Sequence, residues 1–270
     1  MTGELGGMHA DVGVFGGSGL YRLLDDVAEI DLSTPYGPPS STMHVGEIAG
    51  RSVAFLPRHG NAHELPPHRI NYRANLWAMR EIGVTQLVAP CASGSLRAEI
   101  APGHFVVPDQ LVDRTWGRPD TFYDGPTTHH LSFADPYCPV LSAAIVQACH
   151  DESITVHDGG TVVTIQGPRF STRAESRWYS SAGWDVINMT QYPEAALAQE
   201  LGICYSAIAL ITDYDVGVEG EDIHPVTQAE VFAFFEANVD KVRTVLFRLL
   251  ATMPDRCTGL EPGPPVIPPI

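Results

Sequence analysis

Apolar and polar positions follow two rhythms along the chain. Short, mostly apolar runs read as strands at 11–15, 43–48, 52–56, 84–89, 104–107, 161–165, 185–187 and 203–211. Helical spacing predicts helices over 69–83, 140–150, 173–182, 194–201 and 227–251. On the first helix Ile70, Ala74 and Trp77 share a face, and Gly83 supplies the stop. Pro193 stands near the start of the fourth and Gly202 at its end. Thr227 and Glu230 make a capping box for the fifth. Ala49-Gly50 joins two strands as a hairpin. Helices alternating with fully apolar strands predict an α/β fold: a single domain with a central, mostly parallel or mixed sheet flanked by helices. That domain is expected over residues 1–253. The Pro- and Gly-rich tail, 254–270, is expected to be extended and mobile. Residues 113–138 are irregular and too long for a simple connection, and such loops often carry function.

Composition narrows the class. Of 270 residues, 44% are hydrophobic and 18% charged, which excludes disorder, collagen and coiled coil for the chain as a whole. The net charge of −16 argues against nucleic acid or an anionic membrane as a general partner, so an anionic substrate needs a local basic site. No apolar run approaches the ~18 residues of a spanning helix. The segment MTGELGGMHA shows no basic stretch followed by an apolar one, so no secretory leader is expected. The cysteines at 91, 138, 149, 204 and 257 are scattered, with no CxxC pair, and predict reduced thiols in a cytoplasmic protein.

Two motifs are decoys. HELPPH at 63–68 suggests a zinc protease helix, but its second His is five residues on and Pro66-Pro67 break the helix, so no metal site is expected. GVFGGSGL at 13–20 has Arg22 where a dinucleotide fingerprint needs its third Gly, and Leu20 where a nucleophile elbow needs Gly.

Four loops carry more promising chemistry. GGSG at 16–19 follows a strand and can turn backbone N–H groups and the Ser18 hydroxyl toward a small anion; a tight strand exit fits equally well. PRHGNAH at 57–63 offers Arg58, whose planar fork suits phosphate, and His59 as a further donor; taken singly, each also fits a surface or turn role. APCASGSL at 89–96 reads as a small-residue turn after a strand. INMTQYPEAALA at 187–198 places Thr190 just before a helix. Loops at the carboxyl ends of strands converge on one crevice in open α/β sheets. TDYD at 212–215 follows the last apolar strand. Burial there raises a carboxyl pKa and makes Asp213 or Asp215 a general acid, the alternative being a solvated turn.

Taken together, VGVFGGSGL (12–20), PRHG (57–60), INYRANLWAMREIG (70–83), GSLRAEIAPG (94–103), DQLVDRT (109–115), RPDTFYDG (118–125), TIQGPRFSTRAES (164–176), VINMT (186–190), PEAALAQELGICY (193–205) and TDYD resemble the trimeric purine nucleoside phosphorylase family, closest to its 5′-methylthioadenosine phosphorylase branch. The resemblance runs from about residue 11 to 250. It implies phosphorolysis of 5′-methylthioadenosine to adenine and 5-methylthioribose 1-phosphate. Inorganic phosphate is the co-substrate, and no metal or organic cofactor takes part. Residues Ser18, Arg58, His59, Ala92 and Thr190 match phosphate-binding positions. Cys91 stands where methylthioadenosine enzymes usually carry Thr, which removes a hydroxyl. Phe170 and Met189 match residues that pack base and ribose. Ser171 replaces the Glu of 6-oxopurine enzymes, and Asp213 and Asp215 match the adenine-reading pair, with Asp213 as the acid. His130 matches a residue reaching into a neighbouring subunit's site, which implies a homotrimer with shared sites.

Two departures bear on the 5′ substituent. Gln228 occupies a wall position that is apolar in the relatives, and the short, Pro-rich C-terminus makes a closing helix doubtful. A polar wall suits a 5′-hydroxyl, so a broader purine nucleoside phosphorylase acting on adenosine, inosine or guanosine stands as the alternative. A nucleoside-binding protein without turnover is a third reading, against which Arg58, Thr190 and Asp213 argue.

Overall fold

The computed structural model describes residues 9–16, 27–218, 223–257 and 264–266. Its organising element is β5 (Gln86–Ser95), a strand with neighbours on both edges. Along one edge it pairs in parallel with β11 (Cys204–Tyr214) from end to end. Along the other it pairs with β1 (Val12–Gly16) as far as Val88, then with the antiparallel β10 (Val186–Asn188) from Gly94. Between these partners, among the described residues, the edge from Ala89 to Ser93 has no neighbouring strand, and the sheet opens there.

The remaining strands extend from this fork. β1 pairs with β4 (Arg51–Pro57), and β4 forms a hairpin with β3 (Met43–Ile48), which pairs with the short β2 (Ala28–Ile30). β10 pairs with β9 (Thr161–Ile165), which pairs with β7 (Gln110–Arg114). β6 (Phe105–Val107) joins β11 to β8 (Val156–Asp158). The hairpin turn has φ of 53° at Ala49 and 77° at Gly50, the doubly positive pattern of a two-residue turn matched to strand twist. The result is a single α/β domain with a mixed sheet flanked by helices, as expected.

Helices cover both faces because the central strands are apolar on both. In β1, Val12 and Val14 face the core shared with α2 (Pro139–Asp151) and α5 (Gln228–Thr252), while Phe15 faces the core shared with α1 (Tyr72–Glu81) and α4 (Gln191–Glu200). The Thr227–Glu230 capping box opens α5, and a second, Thr172 with Glu175, opens α3 (Arg173–Ser181). Among the described residues, no helix is long and apolar enough to cross a membrane.

Several boundaries move. The first helix begins at Tyr72 rather than 69, because Asn71 caps it by accepting the Ala74 N–H and Ile70 is extended, with ψ of 132°. The stretch 89–96 is not a turn: β5 runs through it to Ser95. Likewise β11 continues through Asp213 to Tyr214, since both strands keep pairing with each other. β2, β7 and β8 were not expected; β7 is partly exposed and its composition carries no strand period. Of the tail, only 254–257 and 264–266 are described: Gln86 Nε2 donates to Pro254 O and Asp255 O, Tyr123 Oη donates to Pro264 O at 2.6 Å, and Val266 packs on the core.

Candidate active site

The opening beside β5 widens into a cavity of about 370 Å³. Arg58, His59, Cys91, Ala92, Phe170, Ser171, Met189, Thr190, Asp213, Asp215 and Gln228 all line it, so three of the four segments expected to converge, 57–63, 89–96 and 187–198, meet there with TDYD, while 17–20 of the fourth lie outside the described residues. Ser18 lies outside the described residues. His130 is exposed and does not line this cavity.

Arg58 follows β4 and is 2% exposed. Its Nε and Nη2 donate to Glu194 Oε1 and Oε2 at 2.7 and 3.3 Å, and Nη1 donates to Pro90 O at 2.8 Å. Of the five guanidinium N–H donors, three are thus committed and two remain. Glu194 also accepts from Tyr205 Oη at 2.9 Å. Burial pushes the Glu194 carboxyl up, and the Arg58 guanidinium opposes that shift. Glu194 was read from the sequence only as a helix-start residue; nothing in the local pattern linked it to Arg58.

His59 behaves differently from the donor expected. Its Nδ1 faces Leu65 O at 2.9 Å, and its ring stacks on His63 at 4.3 Å. Burial, with His63 and Arg58 nearby, pushes its pKa down to about 3, against the Leu65 bond. The ring is therefore neutral at pH 7. With Nδ1–H committed, only Nε2 is left, and it accepts. His63 itself lines the cavity, with Nδ1 buried and without a partner, and the edge of Phe232 meets it at 4.7 Å. The zinc-protease decoy concealed this residue. Its companion segment is indeed not an α-helix: 67–69 is a single 3₁₀ turn.

Thr190 precedes α4 and makes no side-chain cap bond; Tyr192 is extended, with ψ of 130°, so the regular turns of α4 begin only at Pro193 and Thr190 does not stand at their N-terminus. The Cys91 thiol sits among amides: Asn188 Nδ2 and Gln191 Nε2 donate to Sγ at 3.5 and 3.3 Å.

The carboxylates enter from β11. The register with β5 shifts between Ile211 and Asp213, a bulge at Thr212 that re-aims the strand end. Both aspartates then pack over Gly94. A Cβ there would stand in ordinary contact with both, 3.4 Å from Asp213 Oδ2 and 3.7 Å from Asp215 Cβ, and would press on Ile187 Cγ2 at 3.0 Å. Burial pushes Asp213 up to about 6; Asp215 adds to the rise, and the Thr212 hydroxyl, donating at 2.7 Å, opposes it. Burial also raises Asp215. Among the described residues Asp215 Oδ2 and Ser171 Oγ are buried without a well-formed hydrogen bond, although the nearby Ser176 and Ser171 hydroxyls oppose the rise of Asp215.

Arg118 was missed. It lies in the irregular 113–138 segment, 7% exposed. Its Nη1 donates to Met189 O and Tyr192 O at 3.0 and 2.6 Å, and its Nη2 donates to Gln166 O at 2.9 Å. One guanidinium thus ties together the two loops that hold Phe170 and Thr190. The sequence signal was an Arg inside a long loop bordered by aromatics. The far wall comes from α5: Gln228, Val231, Phe232 and Phe235. It is mostly apolar, with Gln228 at the first turn.

The Phosphorylase superfamily model matches residues 11–253. The chain belongs to that family. Among its relatives, a purine nucleoside phosphorylase of Streptomyces coelicolor is 53% identical over 91% of this chain and 90% of its own length. An S-methyl-5′-thioadenosine phosphorylase of Mycolicibacterium smegmatis is 53% identical over 88% and 90%. The chain is also similar to a solved methylthioadenosine phosphorylase from Schistosoma mansoni in complex with adenine. The TM-score is 0.85 at 37% identity, with coverage of 90% of this chain and 91% of that one. A family fold that spans nearly the whole chain accounts for the convergence of the loops on one cavity.

Proposed function

We propose that the chain catalyses phosphorolysis of 5′-methylthioadenosine, giving adenine and 5-methylthioribose 1-phosphate. The observation that carries this reading is Asp213: a carboxyl raised to about 6 by burial, in a cavity that also holds an arginine with free donors. Breaking an N-glycosidic bond builds positive charge on the sugar and negative charge on the departing base. Protonated Asp213 donates to the base at N7, a contribution typically worth ~10²–10⁴-fold. Asp215 and Ser171 orient the base, and Phe170 and Met189 pack its plane and the ribose.

Phosphate binds on the other side of the sugar. The remaining Arg58 donors and the Thr190 hydroxyl hold its oxygens, while neutral His59 accepts from the protonated oxygen of monohydrogen phosphate. A phosphate oxygen attacks the anomeric carbon as the C–N bond breaks, and the bonding pair leaves with the base. Phosphate is itself the nucleophile, so the reaction needs no metal or organic cofactor.

Gln228 favours a second reading. A polar side chain in the 5′ wall can hydrogen-bond a hydroxyl, which suits adenosine. Phosphate-dependent base release from methylthioadenosine, adenosine and inosine, measured side by side, decides. Methylthioadenosine is expected to be preferred and inosine poor. Inosine cleavage as efficient as that of methylthioadenosine would establish the broader purine nucleoside phosphorylase instead. The same reading makes the enzyme a cytoplasmic homotrimer, with His130 reaching a neighbour's cavity. A stable, fully active monomer in sedimentation would overturn that assembly.

A further inference from the structure

Cysteines that are scattered in sequence meet in the fold. The Sγ atoms of Cys138, Cys204 and Cys257 all lie within 4.8 Å of one another. They gather at the amino-terminal end of β5 and β11, the pole opposite the cavity. Cys138 caps α2, Cys204 opens β11, and Cys257 comes from the tail that follows α5. The first two are buried and the third partly so. A fourth donor stands beside them. Gln86 is the register partner of Cys204 and is 1% exposed. Its Nε2 is held by Pro254 O and Asp255 O at 3.1 and 3.0 Å, which turns Oε1 toward Cys257 Sγ at 3.3 Å.

We propose that Cys138, Cys204 and Cys257 form a tris-thiolate site for a thiophilic divalent cation of the zinc class, with Gln86 Oε1 as the fourth donor. Three sulfurs and one oxygen suit a four-coordinate d¹⁰ ion and exclude calcium or magnesium. At a Zn–S distance of ~2.3 Å, tetrahedral sulfurs stand about 3.8 Å apart, so the trio closes by only about 1 Å or less. Charge is also suited. Three thiolates around a divalent ion leave one negative charge, and Cys138 places it at the N-terminus of α2. Binding would release the thiol protons to solvent. A disulfide would use two of the sulfurs and strand the third.

The test uses the purified full-length chain, reduced and stripped with a chelator. Zinc(II) is titrated against a chromophoric chelator, and cobalt(II) is added separately to read thiolate-to-metal charge transfer. The expected result is about one equivalent of either ion per chain, a thiolate–cobalt band, and a higher Tm with zinc. Cys257→Ser, in the partly exposed tail, should weaken zinc binding by about 100-fold or more and abolish the Tm rise, and Gln86→Leu should weaken it by ~10-fold. Phosphorolysis by Cys257→Ser should be unchanged, because the trio does not line the cavity. Substoichiometric zinc, a cobalt spectrum without the thiolate band, or a disulfide within the trio in protein prepared without oxidant would overturn the proposal.

Discussion

Arg58 Nε donates to Glu194 Oε1 across 2.7 Å, with both side chains sealed from solvent. This pair makes the proposed phosphate site part of the core. Arg58→Ala, which in isolation reads as a simple loss of phosphate binding, leaves a buried carboxyl unpaired. We expect it to lower stability by about 3–5 kcal/mol in urea unfolding. Adding Glu194→Gln should recover much of that stability while the KM for phosphate stays high. Recovery of phosphate use together with stability would remove Arg58 from ligand binding.

Asp213 predicts two pH effects. Its pKa rises from 3.8 to about 6 on folding, so the folded state holds the proton more tightly than the unfolded one. Its contribution to stability is therefore full below about pH 4 and declines as pH rises through 6. Asp213→Asn should flatten that decline and gain about 2 kcal/mol at pH 8 relative to the wild type, allowing for residual solvent contact. In catalysis the same proton is the working one. The limb of kcat/KM that falls above pH 6 should disappear in Asp213→Asn, along with most of the activity.

Arg118 should act without touching substrate. Arg118→Lys keeps the charge but cannot reach Met189 O, Tyr192 O and Gln166 O together. We expect a loss of about 2–3 kcal/mol in stability and raised KM values for both phosphate and nucleoside. An effect on one substrate alone would show that the two loops are held independently.

Gln228 tests the 5′ wall. Gln228→Leu should shift the ratio of kcat/KM for methylthioadenosine over adenosine upward by about 10-fold, because it removes a hydroxyl partner and adds apolar surface. An unchanged ratio would place the 5′ group away from the first turn of α5.

The legible parts of this fold were those whose cause is local. The apolar run of β9 and the capping box at Thr227 were found where expected, because each depends on neighbours in sequence. The strands at β5 and β11 were read too short for a physical reason. Their second halves carry small and polar residues, Ser93, Gly94 and Asp213, which pair normally but face a cavity instead of a core. Arg58 and Asp213 were recognisable because their chemistry follows strand ends. Glu194, Arg118 and His63 were not, since what defines them is a partner many residues away. Nor was the cysteine trio, whose members share no spacing.

α5 is about 37 Å long, and its two halves are buried unequally. Its buried residues, Val242, Val245, Leu246, Leu249 and Leu250, all belong to the second half, where Arg51 also grips Leu250 O and Met253 O. The first half runs about 20 Å beyond this clamp to form the cavity wall, with Phe235 and Val239 only partly buried against the core and Phe232 resting on His63. Such a geometry is a lever with a firm root and a lightly propped arm. A tilt of about 5° at the clamp displaces Gln228 by nearly 2 Å, so the width of the 5′ wall is governed from the far pole. On the proposed reading, repacking Leu246 or Leu249 should therefore change which 5′ group fits, with no substrate contact altered in kind.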